Sequence, residues 1–136
     1  IGAEANSIAP EKRMLSSMTP TIVEKDGHFL MTLGTPGGST IITSVMQTIL
    51  NVIEFDMTMQ EAVNAPRFHH QWLPDEIRME SEGFTSELKT ILGDLGYKLN
   101  ESPNLILGSV NGILMLENGH LEGGADQRRG DKAVGF

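Results

Sequence analysis

The sequence predicts an α+β fold, and three observations carry that prediction. Two β-rich runs, TPTIVEK and HFLMTLG, flank Asp26-Gly27. Helical apolar periodicity then fills the middle of the chain, from Ser39 to Gly96. Short β-rich runs return from LILGSV onward, punctuated by Asn-Gly pairs. Antiparallel hairpins with helices between them favour layered α+β packing over a doubly wound parallel sheet.

The elements follow in order. Ile1 to Pro20 is mixed and reads as a loop passing into an extended segment. Asp26-Gly27 is a pair that suits a type I′ turn, so the first two runs form a hairpin. Ser39 to Phe55 reads as a helix: Ile42, Val45, Met46, Ile49, Leu50 and Ile53 recur at three- and four-residue intervals, with Ser39 placed to cap the start. Ile41 and Val52 on its other face imply burial on more than one side. Thr58 and Glu61 have capping-box spacing for a second, shorter helix that Pro66 ends. A third helix is TSELKTILGDLG, with Leu88, Ile91, Leu92 and Leu95 as one stripe and Gly96 as the stop. LILGSV, ILML and HLEGGAD, separated by Asn111-Gly112 and Asn118-Gly119, predict a three-stranded meander.

Composition narrows the function. The 136 residues fit one domain or part of one, and 39% hydrophobic with 21% charged residues is a globular balance. A formal charge of −8 disfavours nucleic acid and anionic membrane surfaces as partners. Cysteine is absent, which excludes disulfides, thiol nucleophiles and Cys-ligated zinc. No apolar run approaches the roughly 20 residues of a membrane helix, and no signal peptide is visible. The opening IGAEANSIAP lacks an initiator Met and reads as a fragment or a processed chain.

Four stretches are candidates for chemistry. In LGTPGGST, Gly37-Gly38 stands between a strand and a helix. A phosphate loop needs a Lys after the second glycine, and Ser39 stands there instead. Two readings remain: a tight turn, or an oxyanion hole in which two adjacent amides at the positive end of a helix stabilise a developing negative oxygen. MLSSMTP places Ser16-Ser17 just before the first hairpin strand. A hairpin returns near its origin, so these serines and the two glycines fall at one end of the sheet, where hydroxyls plus amides suit a carboxylate or carbonyl. Adjacent serines are also ordinary loop residues. RFHHQWLPDE carries His69 and His70 on an extended segment, pointing to opposite faces and so poorly placed to share a metal. Trp72 and Pro74 there predict a packed corner. GADQRRGD mixes both signs of charge and reads as an ion-pair cluster.

Together, KRMLSSMTPTIV, GTPGGSTIITSVMQTILNVI, EAVNAPRFHHQWLPDE and GGADQRRGDKAVGF resemble the C-terminal part of the small subunit of bacterial γ-glutamyltranspeptidases. The resemblance spans essentially the whole chain, in order. It implies an N-terminal nucleophile hydrolase with an αββα four-layer sandwich, of which residues 1–136 are a single partial domain. It further implies a self-cleaving precursor whose new N-terminal Thr attacks the γ-glutamyl amide of glutathione and related compounds. Water, an amino acid or a peptide then accepts the glutamyl group from the acyl-enzyme. The family's oxyanion-hole amides match Gly37 and Gly38, and its substrate α-carboxylate site matches Ser16 and Ser17. No cofactor or metal is implied. The implied partners are the substrate and acceptor, the remainder of the small subunit and the large subunit, in a periplasmic or secreted location.

The chain also departs from the family. The turn usually reads GSPGGSR; here Thr35 replaces the Ser and Thr40 the Arg. The chain begins at a point inside the family's small subunit, so the nucleophilic Thr is expected to lie outside it and the chain alone to be inactive. Alternatives are a β-lactam acylase or a poly-γ-glutamate-processing relative, or a non-catalytic fragment or binding module.

Overall fold

A computed structural model describes residues 4–14, 18–103 and 105–135. The first hairpin forms as its turn chemistry dictates. Strand β1 (Thr21–Lys25) and strand β2 (His28–Gly34) pair antiparallel, with φ of 54° at Asp26 and 77° at Gly27. Both central residues are left-handed, as a type I′ turn requires. The register shifts between Val23, opposite Met31, and Glu24, opposite Phe29, so Leu30 is the extra residue of a bulge in β2.

Helix α1 (Ile41–Ile53) and helix α2 (Met59–Asn64) follow β2. The capping box of α2 is complete: the Glu61 N–H donates to Thr58 Oγ1 at 3.2 Å, and the Thr58 N–H to Glu61 Oε2 at 2.9 Å. The Thr58 hydroxyl, donating to Glu61 Oε2 at 2.7 Å, and then the Thr58 N–H hold the Glu61 carboxyl below the usual carboxylate range. The start of α1 differs from expectation. No Ser39 cap forms; a 3₁₀ turn over Gly38–Thr40 leads into the helix, and the Thr40 hydroxyl reaches back to Gly37 O.

Strands β6 (Asn111–Met115) and β7 (Leu121–Ala125) complete a four-stranded antiparallel sheet in the order β1-β2-β6-β7. The strands between β2 and β6 form a second sheet. Alternation sends Met31, Leu33 and Leu114 to one face, where they bury against Ile41 and Val45 of α1, Met59 and Val63 of α2, and Val110. Gly112 and Gly124 pair across β6 and β7, and α2 settles on them. A Cβ at Gly112 would lie 2.7 Å from Met59 Sδ, and one at Gly124 2.7 Å from the Met59 carbonyl carbon. Glycine here permits close approach of helix to sheet rather than a turn.

That overturns part of the meander expectation. LILGSV is not a strand, and Asn111-Gly112 opens β6 instead of turning the chain. The reason is where the backbone groups go: Leu107 O accepts from the Ser44 hydroxyl, and the Ser109 N–H donates to Thr35. Side chains hold this segment where a strand would have a ladder, with Gly108 left-handed at φ 78°. The turn at Asn118-Gly119 forms as expected, with Gly119 at φ 81°.

The second sheet joins β3 (Phe68–His69) and β4 (Ile77–Met79) antiparallel, and β4 to β5 (Leu99–Glu101) parallel. Helix α3 (Ser86–Asp94) makes the crossover, capped by Thr85 and stopped at Gly96, φ 91°. The expected stripe on α3 buries nothing fully: Leu88, Ile91 and Leu95 are exposed. Likewise α1 turns Ile41 and Val45 inward but presents Ile42, Met46, Leu50 and Ile53 to solvent, so its second apolar side is uncovered among the described residues.

The sheet's other face is also bare. Ile22, Thr32, Ile113 and Gly123 form one row across its four strands, and Ile22 and Ile113 are exposed. A cleft of about 1260 Å³ runs along that face and ends at Gly34, Thr35 and Pro36. Among the described residues, apolar surface is therefore left on the outer side of α1 and on the open face of the four-stranded sheet.

Candidate active site

The site is built where β2 gives way to α1. After Gly34 the chain turns through Thr35, Pro36 and Gly37 into the 3₁₀ turn. Gly37 has φ 152° and Gly38 φ 60°, both in the positive region that glycine tolerates and other residues resist. Gly37 is also hemmed in: a Cβ there would lie 2.7 Å from Thr40 Oγ1 and 3.3 Å from Gly108 Cα. At Gly38 a Cβ would meet nothing within 4 Å.

Two threonines line this turn. Thr35 Oγ1 donates to Pro36 O at 2.7 Å and accepts from the Ser109 N–H at 2.6 Å. Thr40 Oγ1 donates to Gly37 O at 2.9 Å, and the Thr40 N–H approaches the same oxygen at 3.2 Å. Both side chains are buried. The N–H groups of Gly37 and Gly38, by contrast, donate to no other group among the described residues. Two adjacent amides thus stand free at the head of α1, where the helix dipole adds positive potential.

Behind the turn, the 107–110 segment is fixed by a buried ionic network. Arg67 and Asp126 pair at 2.8 Å, with side chains 1% and 0% exposed. Arg67 Nη1 also donates to Leu107 O at 2.9 Å, and Asp126 Oδ2 accepts from the Val110 N–H at 3.0 Å. Arg128 joins Asp126 at 3.1 Å and Glu80 at 2.7 Å, while Glu80 Oε2 accepts from the Arg67 N–H at 2.9 Å. Burial pulls the Arg67 guanidinium below its ordinary value, reinforced by the nearby Arg128 charge. Burial works to raise Asp126, but the Arg128 N–H and the Arg67 guanidinium hold it below the usual carboxylate range. Burial likewise opposes the charge of Arg128, and Glu80 more than offsets it, leaving Arg128 raised. Next to this network, Ser109 Oγ donates to Asp131 at 2.7 Å, as does the Asn111 amide at 3.0 Å. Those two bonds hold Asp131 low.

The sequence candidates fall as follows. Gly37 and Gly38 lie at the end of a central strand, on the loop between β2 and α1. Ser16 and Ser17 lie outside the described residues. The chain that follows them comes close to the turn: Thr19 O would be 3.2 Å from a Cβ on Gly34. His69 and His70 do point apart. His69 is buried between Thr43 Oγ1 at 2.8 Å and Gln71 Oε1 at 3.0 Å, whereas His70 reaches Asp75 at 3.1 Å on the surface. Trp72 does not pack the predicted corner. It is 75% exposed, with φ 73° turning it out of the fold. Among the described residues, no group of three or more His, Cys, Asp or Glu is gathered as a metal would need.

GADQRRGD does form ion pairs, through Asp126 and Arg128, but its partners Arg67 and Glu80 were invisible to spacing. Ser44 and Gly108 carry no sequence signal that marks them as site-building residues. Only the departure of Thr35 and Thr40 from GSPGGSR singled out the two hydroxyls.

Comparison with known proteins bears on this arrangement. The γ-glutamyltranspeptidase family model matches residues 2–136. The chain is 47% identical over 133 residues to the glutathione hydrolase proenzyme of Escherichia coli, covering 96% of this chain and 22% of that protein. It is 51% identical over 98 residues to the glutathione hydrolase proenzyme of a Pseudomonas species, covering 72% of this chain and 17% of that protein. The chain thus spans about a fifth of the length of these curated relatives. In structure it is similar to the T380A mutant of Helicobacter pylori γ-glutamyltranspeptidase, with a TM-score of 0.82 and 45% identity over 95% of this chain and 70% of that one. The fold is accordingly the α+β, N-terminal nucleophile hydrolase type. The chain belongs to the γ-glutamyltranspeptidase family.

Proposed function

We propose that this chain supplies the oxyanion hole and part of the substrate pocket of a γ-glutamyltransferase that also hydrolyses glutathione. The observation that carries the reading is the pair of free, adjacent N–H groups of Gly37 and Gly38 at the head of α1. In acyl transfer a nucleophile attacks the γ-glutamyl carbonyl and its oxygen gains negative charge. Amides fixed toward that oxygen stabilise the transition state more than the neutral carbonyl.

The nucleophile in this reading is a Thr supplied by a segment outside the 136 residues, so the site is completed only with the rest of the small subunit and the large subunit. Ser16 and Ser17 hold the substrate α-carboxylate, which restricts the acyl donor to γ-glutamyl compounds such as glutathione. Collapse of the tetrahedral intermediate expels the amine and leaves a glutamyl ester on the Thr. Water or the amino group of an amino acid or peptide then takes the glutamyl group. The same reading places the enzyme in the periplasm or outside the cell, which cell fractionation checks.

The direct test is a crystal structure of the complete enzyme with a boronate analogue of glutamate on its nucleophile. The expected result is an adduct oxygen within hydrogen-bond distance of the N–H groups of residues 37 and 38. An adduct oxygen held by other groups, with those amides directed elsewhere, would reduce the glycines to a turn.

A further inference from the structure

We infer that Thr35 and Thr40 aim the two amides, each hydroxyl locking one peptide plane of the Gly37-Gly38 pair. This inference rests on the oxyanion-hole reading above and adds the residues that position it.

Peptide planarity couples each carbonyl to the next amide. In a trans peptide the C=O and the following N–H point in opposite directions, so fixing the oxygen fixes the N–H. Pro36 O belongs to the peptide that carries the Gly37 N–H, and Gly37 O to the one that carries the Gly38 N–H. The first oxygen is held by Thr35 Oγ1 at 2.7 Å and the second by Thr40 Oγ1 at 2.9 Å. Each amide is therefore directed away from the threonine that holds its carbonyl.

The hydroxyl protons are not free to choose otherwise. A hydroxyl has a single proton to donate. Thr35 Oγ1 accepts from the Ser109 N–H at 2.6 Å, so its proton is left for Pro36 O. The Ser109 side chain is tied in turn to Asp131 at 2.7 Å. Thr35 is 2% exposed and Thr40 6%, so water competes little for either bond. Glycine needs such a device more than any other residue, because its φ and ψ are the least restricted by its own atoms.

A merely structural role makes a different forecast. If the hydroxyls only satisfy carbonyls, their loss lowers stability and leaves the balance of kcat and KM alone. If they aim the amides, their loss falls on the transition state.

The test uses the complete enzyme with Thr35→Val, Thr40→Val, Thr35→Ser and Thr40→Ser. Turnover of a chromogenic γ-glutamyl anilide and inhibition by the boronate analogue of glutamate are measured for each. Each valine variant is expected to lower kcat roughly ten- to a hundredfold, since small misplacements of a catalytic group cost factors of that order. KM should stay within about threefold, and boronate binding should weaken by a factor similar to the loss in kcat. Both serine variants should restore kcat to within about threefold of the parent, because serine keeps the hydroxyl. If Thr35→Val fails to fold, Thr40→Val and the serine pair still decide. Folded valine variants with unchanged kcat, or serine variants as impaired as valine, overturn the inference. If the parent's boronate oxygen contacts both amides while kcat is unmoved, the threonine assignment alone fails; if it contacts neither, the oxyanion-hole reading fails with it.

Discussion

Arg67 and Asp126 meet at 2.8 Å with both side chains buried, far apart in sequence yet both tied to the backbone of residues 107–110. A buried pair of this kind is costly to break, because the surviving partner is left charged and unpaired. Asp126→Ala should therefore destabilise the protein by about 3–5 kcal/mol. Chemical denaturation of the complete protein measures it. A loss below about 1 kcal/mol would show that the pair is far better hydrated than its burial implies.

The same network gives a pH dependence. Asp126 has a folded value below its ordinary one, and so does Asp131. A depressed carboxyl binds its proton more readily in the unfolded chain. Its stabilisation is thus fully present above about pH 4 and is lost as pH falls toward the folded value. Stability should decline on that acid limb, and Asp126→Asn should flatten the slope. A slope unchanged in Asp126→Asn would assign the acid sensitivity to other groups.

The glycines separate by what surrounds them. Gly124→Ala drives a Cβ to 2.7 Å from the backbone of Met59 and should destabilise by about 1–3 kcal/mol. Gly93, on α3, has open space and no positive φ. Gly93→Ala should instead stabilise by about 0.5–1 kcal/mol through helix propensity and the unfolded state. Thermal unfolding of the two variants, compared with the parent, checks both signs.

At the active-site turn, Gly37→Ala collides with Thr40 Oγ1 and Gly108, whereas Gly38→Ala meets only the strain of its φ of 60°. In the complete enzyme Gly37→Ala should lower kcat on the order of 10²–10³, the scale of a lost oxyanion donor. Gly38→Ala should be the milder of the two. Steady-state kinetics with a γ-glutamyl anilide ranks them, and the reverse order would count against the geometry.

Substrate recognition has its own check. Ser16→Ala with Ser17→Ala should raise KM about tenfold or more for substrates that carry the α-carboxylate, at roughly 1.5–3 kcal/mol per lost hydrogen bond to a charge. Substrates lacking that carboxylate should be little affected. Equal losses for both would mean that the serines serve the fold.

Much of the fold was legible where a local signal sets local structure. Asp26-Gly27 demanded a left-handed pair, Thr58 and Glu61 a capping box, and Gly96 a helix stop. Each needs only a few neighbouring residues. Asn111-Gly112 misled because the same dipeptide that turns a chain also lets a helix come close, and only Met59, distant in sequence, decides between them. The strands β3, β4 and β5 are too short to carry a period of two. Spacing favours Ser39 as a cap because it reports only position along the chain, whereas the 3₁₀ turn follows from Thr40 bonding to Gly37 O. The ion-pair partners Arg67 and Glu80 carry no spacing relation to Asp126 and Arg128, so only the folded chain identifies them.

The bulge that β2 makes against β1 has a meaning of its own. Strand β1 is the outermost of its sheet, so its outer N–H and C=O groups are unpaired by any described strand. A flat strand in that place is a template on which a second chain can polymerise. The extra residue Leu30 of β2 twists the pair at Val23/Glu24, and Glu24 and Lys25 put opposite charges on the edge strand beside the twist. Growth by strand addition is thereby discouraged on that side, although the same sheet leaves Ile22 and Ile113 open to water. Such a chain is steered to meet its partners face-on, through side chains that can discriminate, and away from the backbone pairing that accepts any sequence.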